Sequence, residues 1–174
     1  LWGAGSSAFQ VEGGGNSPEP LSDWREWEKY SLSSKDHSDK GPDHYNHFRT
    51  DFALARELGH NAHRLGLEWA RIQPRQGEIN KAEVRHYREV LQALRDNSLT
   101  AVVTLHHFTN PLWFAQLGGW ENPNAAKLFE EYTRIVVSEL GENIDLWITV
   151  NEPGIYAHFN YLTGEFPVGK RNDL

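Results

Sequence analysis

Short runs that suit β-strands alternate along this chain with stretches that carry a helical stripe. The runs are "LWGAGSS" at the start, "NAHRLGLEW" from Asn61, "TAVVTLHHF" from Thr100 and "DLWITVN" from Asp145. Between the first two, Tyr45, Phe48, Phe52, Ala55 and Leu58 recur at three- and four-residue steps, and Gly59 stands where a left-handed C-terminal cap belongs. Asn80 followed by Glu83 resembles a capping box, after which Val84, Tyr87, Leu91 and Leu94 make one apolar stripe. Asn122 before Pro123 predicts an N-cap and a first-turn proline, and Leu128, Phe129, Tyr132, Ile135, Val136 and Leu140 then run down to Gly141. A chain that reads strand, helix, strand, helix, strand, helix, strand, with apolar and β-branched strands, calls for a parallel sheet of right-handed βαβ units. Both an open doubly wound sheet and part of a (β/α)8 barrel satisfy that pattern. The open sheet carries a Gly-rich phosphate turn between first strand and first helix. "EGGGN" matches it poorly, because the helical stripe starts only at Tyr45. The barrel is therefore the expected architecture.

On a barrel, polar residues at the carboxyl ends of strands are the candidates for chemistry. Those ends offer Gln10 and Glu12, Glu68 and Trp69, His106 and His107, and Asn151 with Glu152. The mixture suits a sugar: amides and imidazoles can bond hydroxyls, an indole offers an apolar face to a pyranose ring, and a carboxyl can transfer a proton. Each residue also has a plainer reading. His106 and His107 could be core residues or metal ligands, but neighbours on a strand point to opposite faces and do not easily share one ion. Gln10 could be a loop amide. Glu152 could cap a helix that starts at Pro153. Glu12 and Glu68 read as structural, and Tyr87, Phe129 and Tyr132 as helix faces packed on the sheet. The connection from Gly13 to Pro42 is long and polar, with "SLSSKDHSDKG" read as solvated loop.

The chain has 174 residues, enough for one domain, and neither a linker nor an internal repeat divides it. A net charge of −7 without a clustered basic patch argues against nucleic acid or an anionic membrane as partner. No apolar run approaches the roughly 20 residues needed to span a bilayer, and the first residues lack a basic-then-apolar leader. There is no cysteine, hence no disulfide and no thiolate metal site. The expectation is a cytoplasmic protein without metal or cofactor. Methionine is absent even at position 1, so a trimmed or partial chain is expected.

Four blocks, "GAGSSAFQVEGG", "DHYNHFRTDFALARELGHNAHRLGLEWARIQPRQGEIN", "TLHHFTNPLWFAQLGGW" and "WITVNEP", resemble in order and spacing the retaining β-glycosidases of glycoside hydrolase family one, the β-glucosidase and β-galactosidase group. The resemblance implies a (β/α)8 barrel that hydrolyses a small-molecule β-glycoside with retention of configuration. It implies Glu152 as general acid/base, Asn151 at the sugar 2-hydroxyl, Gln10 and His107 on the glycone, and Arg64 beneath the nucleophile, helping to keep it ionised. Phe108 stands where many members have Trp, and "HHFTNP" replaces the commoner "YHWDLP", so the preference among glucose, galactose, fucose and mannose stays open. The family's nucleophile lies in a Thr-Glu-Asn-Gly block, and no such block occurs in these residues. Residues 1–174 are accordingly expected to be the N-terminal half of one barrel, about strands one to four, inactive without its C-terminal half. A 6-phospho-β-glycosidase, a non-catalytic sugar-binding relative and an unrelated nucleotide binder are the alternatives.

Overall fold

The computed structural model describes residues 1–13, 21–30, 38, 41–167 and 169. In chain order the elements are β1 (Gly3–Gly5), α1 (Ala8–Val11), α2 (Asp23–Tyr30), α3 (His44–Glu57), β2 (Ala62–Gly66) and α4 (Trp69–Ile72). They continue with α5 (Lys81–Asp96), β3 (Thr100–His106), α6 (Leu112–Gln116), α7 (Ala125–Leu140), β4 (Leu146–Val150) and α8 (Pro153–Ala157). The strands form one sheet in the order β1-β2-β3-β4, and every pair is parallel. A doubly wound sheet reverses its strand order at a switch point. Here each strand lies beside the next, as in a barrel wall. Gly5, Arg64, Val102 and Leu146 share one register row.

The three long helices cover the sheet with the predicted stripes. Phe48 and Phe52 of α3, Val84, Tyr87, Leu91 and Leu94 of α5, and Leu128, Tyr132, Val136 and Leu140 of α7 are buried in one cluster with Leu65, Ala101 and Val103 of the central strands. Leu58, the last residue of the first stripe, lies outside that cluster and is 74% exposed. It sits at the helix C-cap, where the chain is already turning away. Gly59 takes φ +82°, its N–H donates to the Arg56 carbonyl, and the N–H of His60 donates to that of Ala55. This is the left-handed closure expected there.

Two caps depart from the sequence expectation. Asn80 Oδ1 accepts from the Ala82 and Glu83 N–H groups, but Glu83 accepts from the Tyr45 hydroxyl and the Asn80 N–H donates to the Ile72 carbonyl, so the reciprocal half of the capping box is not made. Asn122 Oδ1 accepts from the Asn124 N–H in a tight turn, which moves the N-cap of α7 to Asn124. Gly141 keeps right-handed angles and continues into a short 3-10 turn.

The connection read as loop contains α2. Its start was signalled locally: Ser22 Oγ accepts from the Arg25 N–H, and Asp23 and Glu26 lie in the first turn. Most of "EGGGN" and of "SLSSKDHSDKG" lies outside the described residues. The two edges of the sheet differ from its middle. All of β1 is exposed, as is much of β4, including Leu146 and Trp147, whereas β2 and β3 are covered.

Candidate active site

Arg64 stands in the middle of β2 and its guanidinium ties three strands together. Nε donates to Thr104 Oγ1 of β3 at 2.9 Å, and Nη2 donates to Asn151 Oδ1, just past β4, at 2.6 Å. Nη2 also lies 3.1 Å from His107 Nδ1, just past β3. A guanidinium only donates, so Nδ1 must accept and the imidazole proton sits on Nε2. Burial, aided by the Arg64 charge, pushes the His107 pKa down to about 4, which keeps the ring neutral at pH 7. Asn151 Nδ2 lies 3.4 Å from His107 Nε2. With this tautomer both atoms are donors, so they stand side by side as a pair of N–H groups able to meet one ligand oxygen.

The backbone sets this convergence. The N–H of Asn151 donates to the His106 carbonyl at 2.9 Å, extending the β3–β4 ladder one step past the strand. His106 and His107 diverge as strand neighbours must: His106 is buried on the helix side, with Nε2 3.0 Å from Asn110 Oδ1, and His107 faces Arg64. Glu152 follows at once with φ 43° and ψ 58°, a left-handed conformation uncommon for a residue with a side chain. It occupies the N-cap position of α8 but makes no side-chain cap bond, and it is exposed. Glu152 thus holds the expected N-cap position of a helix starting at Pro153, without the side-chain bond that a capping residue makes.

Gln10 and Phe108 meet His107 from the other side. Ser7, Phe9, Gln10, Trp24, His107, Phe108 and Thr109 line a cavity of about 40 Å³. Ser7 Oγ donates to Gln10 Oε1 at 2.6 Å, and the Phe108 ring lies 4.9 Å from the His107 ring. Phe108 has φ 69°, a strained state for a bulky residue that turns its ring toward this opening. Trp24 joins the lining from α2, a helix within the connection whose composition reads as loop. Trp69, expected to offer a face to sugar, does not reach the site. It is 1% exposed, stacked on Tyr132 and packed against a tilted Phe114 ring, with its Nε1–H donating to Gln73. An indole that can bury its whole area against α6 and α7 gains more in the core than at an opening.

Glu12 and Glu68 are structural, as expected, and both are deeply buried. Glu12 pairs with Arg71 at 2.9 Å and accepts from the Tyr87 hydroxyl, so Tyr87 does more than pack. Glu68 accepts from Thr109 Oγ1 at 2.8 Å and from the Ala70 N–H. Burial pushes its pKa up to about 7, against those hydrogen bonds. A carboxyl whose folded pKa exceeds its unfolded value holds its proton better when folded. Its stabilising contribution is present below about 4.5 and is lost as pH rises through about 7. Thermal melts of Glu68→Gln in the full-length protein are expected to show a shallower fall in stability over that window than the unaltered protein. Identical slopes would remove Glu68 as the titrating group.

Among the described residues no three His, Asp or Glu side chains are grouped to hold a metal ion, and no helix is long and apolar enough to cross a membrane. Four sequential parallel strands with a polar cluster past their carboxyl ends define the first half of a (β/α)8 barrel carrying a strand-end site. The family model "Glycosyl hydrolase family 1" matches residues 1–174. The chain belongs to glycosyl hydrolase family 1, among relatives that are β-glucosidases. It is 31% identical over 181 residues to β-glucosidase A of Thermotoga maritima, covering 99% of this chain and 40% of that protein. The structure of the AHE enzyme from Alicyclobacillus herbarius superposes with a TM-score of 0.93 at 33% identity, over 99% of this chain and 40% of that one. The β-glycosidase from Pyrococcus horikoshii gives 0.89 at 34%, over 99% and 39%. The chain thus spans about 40% of the length of the relatives it matches.

Proposed function

We propose that residues 1–174 are the N-terminal half of a single (β/α)8 domain in a longer protein that hydrolyses β-glycosides with retention of configuration. The observation that carries this is the gathering of His107 and Asn151 by Arg64, with Glu152 next in the chain beside them. His107 Nε2–H and Asn151 Nδ2–H grip a sugar hydroxyl, Gln10 approaches from α1, and Phe108 walls the opening. Glu152 donates its proton to the glycosidic oxygen as the bond breaks. A second carboxylate, supplied by the remainder of the barrel about 5 to 5.5 Å away, takes the anomeric carbon as a glycosyl ester. Glu152, now a carboxylate, then removes a proton from water, which releases the sugar. The Arg64 charge holds the second carboxylate ionised until it attacks. Kinship with β-glucosidases supports a gluco-configured sugar.

The test is hydrolysis of phenyl β-glucoside and β-galactoside by the full-length protein, with the anomer first formed read by NMR. A β-anomer supports the reading, and an α-anomer overturns it. Turnover confined to 6-phosphorylated sugars would mark a phospho-glycosidase, and binding without turnover a sugar-binding relative. The 174-residue chain alone is expected to hydrolyse neither substrate and to self-associate through the exposed edges at β1 and β4. Sedimentation and an aryl-glucoside assay check this, and turnover by the isolated chain that disappears in Glu152→Gln would overturn it.

A further inference from the structure

Away from Arg64, on the helix side of the same loops, one amide is bonded in every direction it can be. Asn110 donates through Nδ2 to Asp23 Oδ2 at 2.7 Å and to the Tyr156 hydroxyl at 3.0 Å. Its Oδ1 accepts from Trp120 Nε1–H at 3.0 Å and lies 3.0 Å from His106 Nε2. Its backbone N–H donates to Asp23 Oδ1, and its carbonyl accepts from the Asp23 N–H. Asn110 and Asp23 are 2% and 7% exposed, so none of these bonds is readily replaced by water.

Tyr156 is the link from this hub to the reacting end. It is buried on α8, and its N–H donates to the Glu152 carbonyl at 3.0 Å, one turn earlier. Glu152 is held in a left-handed conformation that an isolated chain would leave. α8 (Pro153–Ala157) runs on into a π-helical turn over His158–Leu162, so helical hydrogen bonds set the conformation within this segment, but its rotation against the sheet depends on contacts outside it. Those outside contacts converge on Tyr156: its ring packs on His106 and Phe108, and its hydroxyl accepts from Asn110 Nδ2, the one directional bond among them.

We infer that Asn110 and Tyr156 are positioning residues for the proton donor: the Asn110–Tyr156 hydrogen bond sets the rotation of α8 and so the aim of Glu152. This rests on the proposed role of Glu152. The hub joins the first residue of α2, the loop between β3 and α6, and α8, so a shift in one of these segments is felt by the donor.

The experiment uses Tyr156→Phe in the full-length protein, which removes the hydroxyl and keeps the ring between His106 and Phe108. Asn110→Leu serves as a second, harsher variant. Rates are measured on phenyl β-glucoside, whose leaving group needs a proton, and on 2,4-dinitrophenyl β-glucoside, whose leaving group does not. The expected result for Tyr156→Phe is a loss of about tenfold in kcat on the phenyl substrate, a part of what acid catalysis contributes, with less than about twofold loss in glycosylation by the dinitrophenyl substrate and an unchanged KM. Equal losses on both substrates, or none, would overturn the inference, since a merely structural residue lowers both rates and the melting temperature together. Crystal structures of both proteins decide the matter without activity. A displacement of Glu152 of about 1 Å relative to Asn151 in Tyr156→Phe supports the hub, and superposable positions overturn it. Should the unaltered protein hydrolyse no β-glycoside, the functional reading fails while the structures still judge the hub.

Discussion

In the full-length protein, Glu152→Gln is expected to lower kcat/KM for phenyl β-glucoside by about 10² to 10⁴, the range that a positioned general acid contributes. Glycosylation by 2,4-dinitrophenyl β-glucoside falls far less, because that leaving group departs without a proton. The melting temperature hardly moves. That last expectation follows from Glu152 making no side-chain cap bond on α8, so the amide loses no intrahelical partner. A capping residue would behave in the opposite way, losing about 1 kcal/mol of stability with no dependence on the leaving group. Leaving-group series and thermal melts on the same pair of proteins separate the two roles. A uniform loss across leaving groups would count against proton donation.

The largest stability effect is expected at Arg71→Leu. Arg71 Nε lies 2.9 Å from Glu12 Oε2, and the two side chains are 3% and 7% exposed. The guanidinium also lies over the Tyr45 ring at 4.6 Å, so its planar face is in use as well. Removing it leaves the Glu12 carboxylate buried without its cation, at a cost of about 3 to 5 kcal/mol. The same loss does not follow when both charges go. Arg71→Leu with Glu12→Gln is expected to recover most of it, because the remaining amide is neutral and can still accept from the Tyr87 hydroxyl. Burial already holds the Glu12 pKa above its ordinary value despite the pull of Arg71. The single variant's deficit should therefore shrink as the pH falls and Glu12 takes up its proton. Denaturant unfolding of the single and double variants measures this, and equal stabilities would show that the pair is not coupled.

Much of this was legible in the chain itself. Stripes such as Val84, Tyr87, Leu91 and Leu94 give their helix away because burial of one face needs a fixed period. The strand ends at His107 and Asn151 were found because a parallel sheet delivers all its carboxyl ends to one side, whereas Gln10, expected at a strand end, lies on the short helix α1. Local signals misled where two partners compete for one group. Glu83 had the spacing to close a capping box, yet the Tyr45 hydroxyl, 38 residues away in sequence, gives it a partner that no local pattern announces. Trp69 had the position of a sugar platform but found more apolar surface in the core.

The sequence alone determined the alternation of four strands with three long helices and placed His107 and Asn151 just past strand ends, since periodicity and spacing are local properties of a chain. The sheet order that separates a barrel wall from a doubly wound sheet, and the short helix that carries Gln10, came with the tertiary structure. The tautomer of His107, the left-handed turn at Glu152 without a cap bond, and the Asp23–Asn110–Tyr156 hub were decided only in three dimensions. Each depends on atoms brought together from distant segments. A donor, an acceptor or a strained angle has no meaning for function until its neighbours are in place.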